Sequence, residues 1–386
     1  MSIVIILLLL IALVFLGFDY IDIFLNWIGR IKIGTIQGDD EWKQATEGVV
    51  EKWLKSGTPK LPVNENKKLR IFDTVKNAGK VVSTAYWQDA AILKAASAMK
   101  SADTGILELI DRYIDTDSGT WKNEPKKIDC AILAHEILCC NCIDNDSIRP
   151  AMDYVAKLLK KLYEENGTIP YNTNAKDVRF VDTVGMVCPF LMKYAVVYNK
   201  PEYVDIALDQ IKEYKKHGFD KETKIPFHCF DAKTKAPLGI CGWGRGCAWW
   251  ALGITDSLKA LMTCNSYNIE KVTLIKYCVE FMVQMRGYQR DDGAFNRMIF
   301  IPSLEDSSAG AILAYCFAHL SKVIENDELE ICCKKTLRHL KNCTRRNGVI
   351  DYSQGDTMGI GFYSDGFRVV PAAQGFAVAA AREIDF

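Results

Sequence analysis

The feature that most constrains this chain is an alternation of short and long links between amphipathic helices. Beyond residue 40, apolar residues recur at i, i+3 and i+4 and strand-like alternation is scarce, so the spacing predicts helices. They are expected at 41–56, 84–99, 102–114, 128–142, 148–165, 182–198, 201–217, 246–263, 268–286, 306–324, 327–343 and 372–383. The links near 100–101, 143–147, 199–200, 264–267 and 325–326 are short. Those near 57–83, 115–127, 166–181, 218–245, 287–305 and 344–371 are long. A short link forces its two helices antiparallel. Alternation then gathers every long loop at one end of the molecule and every tight turn at the other. Six hairpins with one loop-rich end predict an all-α fold, an (α/α)6 barrel, and long loops in compact domains are usually functional. No Pro/Gly/Ser-rich linker divides the chain beyond residue 40, so a single domain over 41–386 is expected.

Charge and cysteine usage narrow the classes further. Lys+Arg and Asp+Glu are both 48, leaving no excess positive charge to neutralise phosphates, so no nucleic-acid partner is expected. A hydrophobic content of 49% excludes intrinsic disorder. Many of the 14 cysteines fall in apolar helical stretches, among them Cys139, Cys140, Cys278, Cys316, Cys332 and Cys333, and read as small buried hydrophobes of a reducing compartment. Paired zinc-ligand spacings are missing, so no metal is expected. Gly242-x-Gly244-x-Gly246 lacks the strand–turn–helix setting of a dinucleotide site, and no cofactor is expected.

Ile3 to Phe18 is apolar and uncharged, and apolar residues continue past Asp19 and Asp22 to Ile28. With Asp19, Tyr20 and Trp27 at an interface, residues 1–30 are expected to form an N-terminal transmembrane anchor, followed by a linker at 31–40. No basic residue precedes the run and no small-x-small site follows it, which disfavours a cleaved signal. Arg30 and Lys32 come after it, which puts the barrel in the cytoplasm by the positive-inside rule.

The second helix of each later pair starts at the loop-rich end. Those starts hold Asp129, Asp182, Arg245 to Trp249, and Asp306; the adjoining loops hold His228, Trp243, Asp291, Asp292, Tyr363 and Asp365. Aromatic planes and short polar arms suit sugar rings, and a guanidinium fork suits a carboxylate. Each residue also has a structural reading. Asp129, Asp182 and Asp306 lie where helix N-caps lie. Asp291-Asp292-Gly293 reads as a turn. The tryptophans and His228 fit a core.

Phe180-Val181-Asp182-Thr183-Val184-Gly185-Met186-Val187-Cys188-Pro189-Phe190-Leu191 resembles the Trp-x-Asp-x-x-x-Met-x-x-Pro-Phe-Leu segment of glycoside hydrolase families 88 and 105. These are the unsaturated glucuronyl and unsaturated rhamnogalacturonyl hydrolases. Trp243-Gly244-Arg245-Gly246-Cys247-Ala248-Trp249 is similar to their Trp-Ala-Arg-Gly-Asn-Gly-Trp, and His228 falls where they keep a histidine. Asp306-Ser307-Ser308-Ala309 and Gly359-x-Gly361 also fit, so the resemblance spans about 80–386. It implies an (α/α)6 barrel and a substrate oligosaccharide ending in a 4,5-unsaturated uronic acid. It also implies that Asp182 protonates C4 of the vinyl ether and activates water toward C5, with Asp129 assisting at the ring. By the same resemblance His228 and Arg245 bind the uronate or its neighbour, Trp243 and Trp249 wall the pocket, and Trp87 stacks. Three positions depart from the pattern: Phe180 replaces a tryptophan, Cys247-Ala248 replaces Asn-Gly, and Trp250 replaces a small residue. Two alternatives use the same barrel. An inactive glycan-binding or scaffold protein would not need the two aspartates. A sugar epimerase would need a histidine pair, and only His228 lies on a long loop at that end.

Overall fold

The computed structural model describes residues 2–60, 86–99, 103–357 and 359–386. The start of the expected 84–99 helix, the link at 100–102 and most of the 57–83 loop lie outside them. Six helices form an inner layer: Tyr86–Met99, Cys130–Cys139, Val181–Tyr198, Gly244–Met262, Ser307–Val323 and Pro371–Glu383. Each packs on the next and the last packs on the first, so the ring closes. Asp39–Ser56, Asp103–Asp111, Arg149–Asn166, Glu202–His217, Asn268–Arg286 and Asp327–Asn342 form the outer layer. The molecule is an (α/α)6 barrel.

The sequence builds the two layers differently. Outer helices carry one apolar face; Arg149–Asn166 buries only Ala151, Met152, Val155, Ala156, Leu159 and Leu162. Inner helices are buried all round, and every residue from Ser307 to Ser321 is buried. Neighbouring inner helices approach closely where one offers glycine. A Cβ on Gly185 would sit 2.6 Å from the Trp249 carbonyl, and one on Gly375 would sit 2.2 Å from that of Ala91.

A charged cluster lies inside this ring. Lys94 Nζ is 2.9 Å from Glu136 Oε1 and 3.0 Å from Asp256 Oδ2. Tyr315 donates to Asp256 Oδ1 at 2.7 Å, and His135 Nδ1 lies 2.9 Å from Glu136. All five side chains are buried. Burial opposes the charge on Lys94, but Asp256 and Glu136 outweigh it and hold the ammonium well above its ordinary value. The cluster ties together four inner helices.

The long connections hold short antiparallel strands that the spacing did not predict. Val178–Phe180, Phe227–Asp231 and Pro237–Cys241 form a three-stranded sheet at the loop-rich end. Ser353–Gln354 pairs with Phe367–Arg368. These strands are short and lie inside loops, so their side-chain alternation is too brief to read.

Ser2–Arg30 is one helix whose described apolar side chains are largely exposed. Its far end docks on the barrel: Arg30 Nε lies 2.9 Å from Asp351 Oδ2, and Arg345 donates to Asn26 at 2.7 Å. The expected transmembrane span is not supported. The apolar helical stretch is Ile3–Gly17, shorter than the roughly 17–25 residues a span needs. Among the described residues, the one helix long and apolar enough to cross a membrane is Val181–Tyr198, and it is an inner barrel helix. The segment expected as a linker lies against the barrel, where Gly34 N–H donates to the Thr344 carbonyl at 2.9 Å.

Candidate active site

Three aspartates stand at inner-helix starts, and they behave differently. Asp306 is a structural cap. Its Oδ1 accepts from the Ser308 backbone at 3.0 Å, from the Ser308 hydroxyl at 2.6 Å and from the Gln354 backbone at 3.0 Å. Asp129 occupies an N-cap position but makes no capping bond, and its Oδ1 is buried without a hydrogen bond. Asp182 lies in the first turn of its helix, and its Oδ2 is likewise buried and unbonded. Asp306 Oδ2 also lacks a hydrogen bond, but it faces the Arg245 guanidinium at 3.8 Å. Buried polar atoms are normally satisfied, so the orphaned oxygens of Asp129 and Asp182 mark a site built for something else.

The three-stranded sheet brings His228 to Asp182. Phe180, the residue that leads into the Asp182 helix, pairs with Cys229 of the central strand. His228 Nε2 then lies 3.5 Å from Asp182 Oδ2, while Nδ1 lies 2.9 Å from the Tyr363 hydroxyl. That hydroxyl also accepts from the Ile240 backbone N–H at 3.1 Å. In the tautomer protonated at Nε2, the imidazole aims its N–H at Asp182. Phe180, Trp243 and Tyr363 enclose the imidazole, with ring centroids at 5.2, 4.7 and 5.3 Å.

Arg245 is placed differently from a free uronate-binding fork. Its Nη2 donates to the Gln354 carbonyl at 2.9 Å and to the Gly355 carbonyl at 2.5 Å, and its Nε lies 3.8 Å from Asp306 Oδ2. The guanidinium sits 5.6 Å from the Trp243 ring and 5.8 Å from the Trp87 ring. Trp243 also donates to the Gln354 side chain at 3.0 Å. Together these contacts strap residues 354–356 to the barrel. Trp87 and Trp249 meet edge to face at 5.5 Å, and Trp87, Trp243 and Trp249 are all buried. The indoles are packed into the barrel beside Arg245.

The strap delivers two residues that motif reading missed, Asp356 directly and Tyr171 beside it. Burial and the Asp129, Asp182 and Asp356 charges together push the Tyr171 hydroxyl well above its ordinary value. Asp356 is raised by burial and further by Asp182, against the pull of Arg245. Asp129 is raised to about 6, first by burial and then by Asp356, with Lys127 opposing. The like-charge neighbour on Asp129 is therefore Asp356. Their only signal in sequence was position in long connections, Asp356 just before Gly359-x-Gly361. Asp292 pairs instead with Arg290 at 2.8 Å, and Asp365 pairs with Arg297 at 3.1 Å.

The Asp129 shift has a testable sign. A carboxyl raised in the folded state contributes stability below its unfolded pKa, and that contribution is lost as pH rises through about 6. Asp129→Asn is therefore expected to raise stability at pH 8 by about 1–3 kcal/mol and to leave it unchanged at pH 4. Denaturant unfolding at the two pH values checks this; equal effects at both would refute it.

The Glycosyl Hydrolase Family 88 profile matches residues 75–382. A search of curated proteins finds no significant match. Among solved structures, a possible GH105 member from Klebsiella pneumoniae subsp. pneumoniae superposes with TM-score 0.70 at 18% identity, covering 90% of this chain and 93% of that one. An unsaturated glucuronyl hydrolase specific for heparin gives 0.67 at 16%, covering 90% and 97%. The unsaturated glucuronyl hydrolase of Bacillus sp. GL1, responsible for glycosaminoglycan degradation, gives 0.63 at 16%, covering 88% and 96%. At these identities the superpositions speak for the fold. The profile covers most of the chain, including both aspartates and the strap that holds Asp356. The chain belongs to glycosyl hydrolase family 88 and is a glycoside hydrolase.

Proposed function

We propose that this hydrolase removes a 4,5-unsaturated uronic acid from the end of an oligosaccharide, the kind of end a polysaccharide lyase leaves. The observation that carries the reading is the pair of buried, unbonded carboxylate oxygens on Asp129 and Asp182, with His228 aimed at the second. A vinyl ether needs one proton at C4 and one water at C5. The product is a hemiketal that opens and releases the sugar held at C1. In this reading Asp182 passes the proton to C4 and then accepts a proton from the attacking water. His228 holds Asp182 in place through Nε2. Asp129, raised to about 6, keeps its proton through the mildly acidic range and donates a hydrogen bond to the ring. Arg245 acts through the 354–356 strap, and Trp243, Trp249 and Trp87 shape the floor. The test is loss of the unsaturated-uronate absorbance band against a panel of lyase products. Loss with one member identifies the substrate class; no loss with any member would refute the reading.

The N-terminal helix has a proposed role too. Its apolar residues Ile3, Leu8, Leu13 and Phe24 are exposed, and Arg30 and Lys32 follow it. We propose that it holds the enzyme at a membrane by burying this apolar surface there, with the barrel facing the cytoplasm. Quantitative release of the full chain by carbonate washing would argue against this.

A further inference from the structure

A mixed sulfur, nitrogen and oxygen cluster lies outside the machinery described above. His339 and Cys343 are four residues apart at the end of the Asp327–Asn342 helix, so they share one face. Glu305 reaches them from the end of the long connection that leads into Ser307–Val323. The three candidate donor atoms all lie within 4.8 Å of one another. His339 Nε2 is 3.4 Å from Cys343 Sγ. In a tetrahedral zinc site with Zn–S near 2.3 Å and Zn–N near 2.0–2.1 Å, those two ligands stand about 3.5–3.6 Å apart. The histidine–cysteine edge therefore already has the separation a shared zinc ion requires. The other imidazole nitrogen lies 4.0 Å from Asp292 Oδ2.

Charge is compatible with a divalent ion. Arg290 pairs with Asp292 at 2.8 Å and stands 3.8 Å from Glu305 Oε2. One cation against two carboxylates leaves a single negative charge, and a metal-bound thiolate would add a second. The other candidate cluster, His135, Glu136 and Asp256, fails this test. Lys94 already lies at 2.9 and 3.0 Å from its two carboxylates and takes the place of a cation. Sulfur, imidazole and carboxylate in one set favour zinc over hard cations such as magnesium or calcium.

We propose that Glu305, His339 and Cys343 bind one zinc ion, with water as the fourth ligand. The ion would pin the end of the 287–305 connection to the outer helix. Glu305 immediately precedes Asp306, whose carboxylate holds the Gln354 backbone, so the pin stands directly behind the strap of the catalytic site. Paired cysteine spacings did not flag it because two of its ligands are a histidine and a cysteine one helical turn apart.

The full chain, purified without chelator and incubated with zinc chloride followed by desalting, should carry about one zinc per chain by elemental analysis. Glu305→Gln and the His339→Ala/Cys343→Ser pair should each lower zinc affinity by at least about tenfold. Chelator should lower the Tm of the wild type and leave that of the paired variant unchanged. A wild-type chain that retains no zinc after desalting would overturn the proposal, and that measurement needs no variant to fold. Equal zinc in the wild type and a folded paired variant would overturn it as well.

Discussion

Asp182→Asn is expected to lower kcat/KM on an unsaturated uronyl oligosaccharide by about 10²–10⁴-fold, with stability within about 1 kcal/mol of the wild type. The two halves of that result follow from one observation. Asp182 Oδ2 is buried but accepts no hydrogen bond, and the helix start at Val181 draws no side-chain cap from its N-cap residue Phe180. An isosteric amide removes the ionisable group and leaves the packing. Asp306→Asn is the informative contrast. That carboxylate holds Ser308 and the Gln354 backbone and stands near Arg245, so its loss should reduce stability and activity together. Steady-state rates alongside thermal melts separate the two cases. Wild-type turnover in Asp182→Asn would remove the aspartate from the chemistry.

Lys94→Met should destabilise the barrel by about 3–5 kcal/mol. The ammonium is the shared partner of Glu136 and Asp256, and both carboxylates are buried in the ring. Removing it leaves two like charges in a medium that cannot hydrate them. His135, 2.9 Å from Glu136, can answer only one of them directly. Replacing Lys94, Glu136 and Asp256 together with apolar residues of similar volume should recover most of the loss, because no charge is then stranded. Denaturant unfolding of the single and triple variants measures both. A single variant within 1 kcal/mol of wild type would show that the cluster is incidental to the ring.

The helical framework was legible because it rests on local periodicity and on link length. The 268–286 helix has the bounds its apolar spacing predicts, and the ring follows from which links are short. The mouth was less legible for a physical reason. Asp129, Asp182 and Asp306 have the same local signature, an acid at a helix start. They differ in their partners: Asp306 caps Ser308, holds the Gln354 backbone and faces Arg245, whereas one oxygen each of Asp129 and Asp182 accepts no hydrogen bond and that of Asp182 faces His228 at 3.5 Å. Arg245 is readable as a guanidinium near the site, but its partners are carbonyls at 354 and 355 that only the folded loop supplies. Asp356 and Tyr171 sit in irregular connections where no period exists to read. At the N-terminus the apolar run was plain, yet its apolar helical stretch ends at Gly17.

The proposed reaction hydrates a double bond in the substrate, with the glycosidic bond breaking as a consequence. Digestion of an active lyase product in deuterium oxide, followed by NMR of the released uronate, examines that step itself. The prediction is deuterium at C4 with the C4–C5 double bond gone. Release of a uronate that still carries the double bond, with no deuterium at C4, would contradict it.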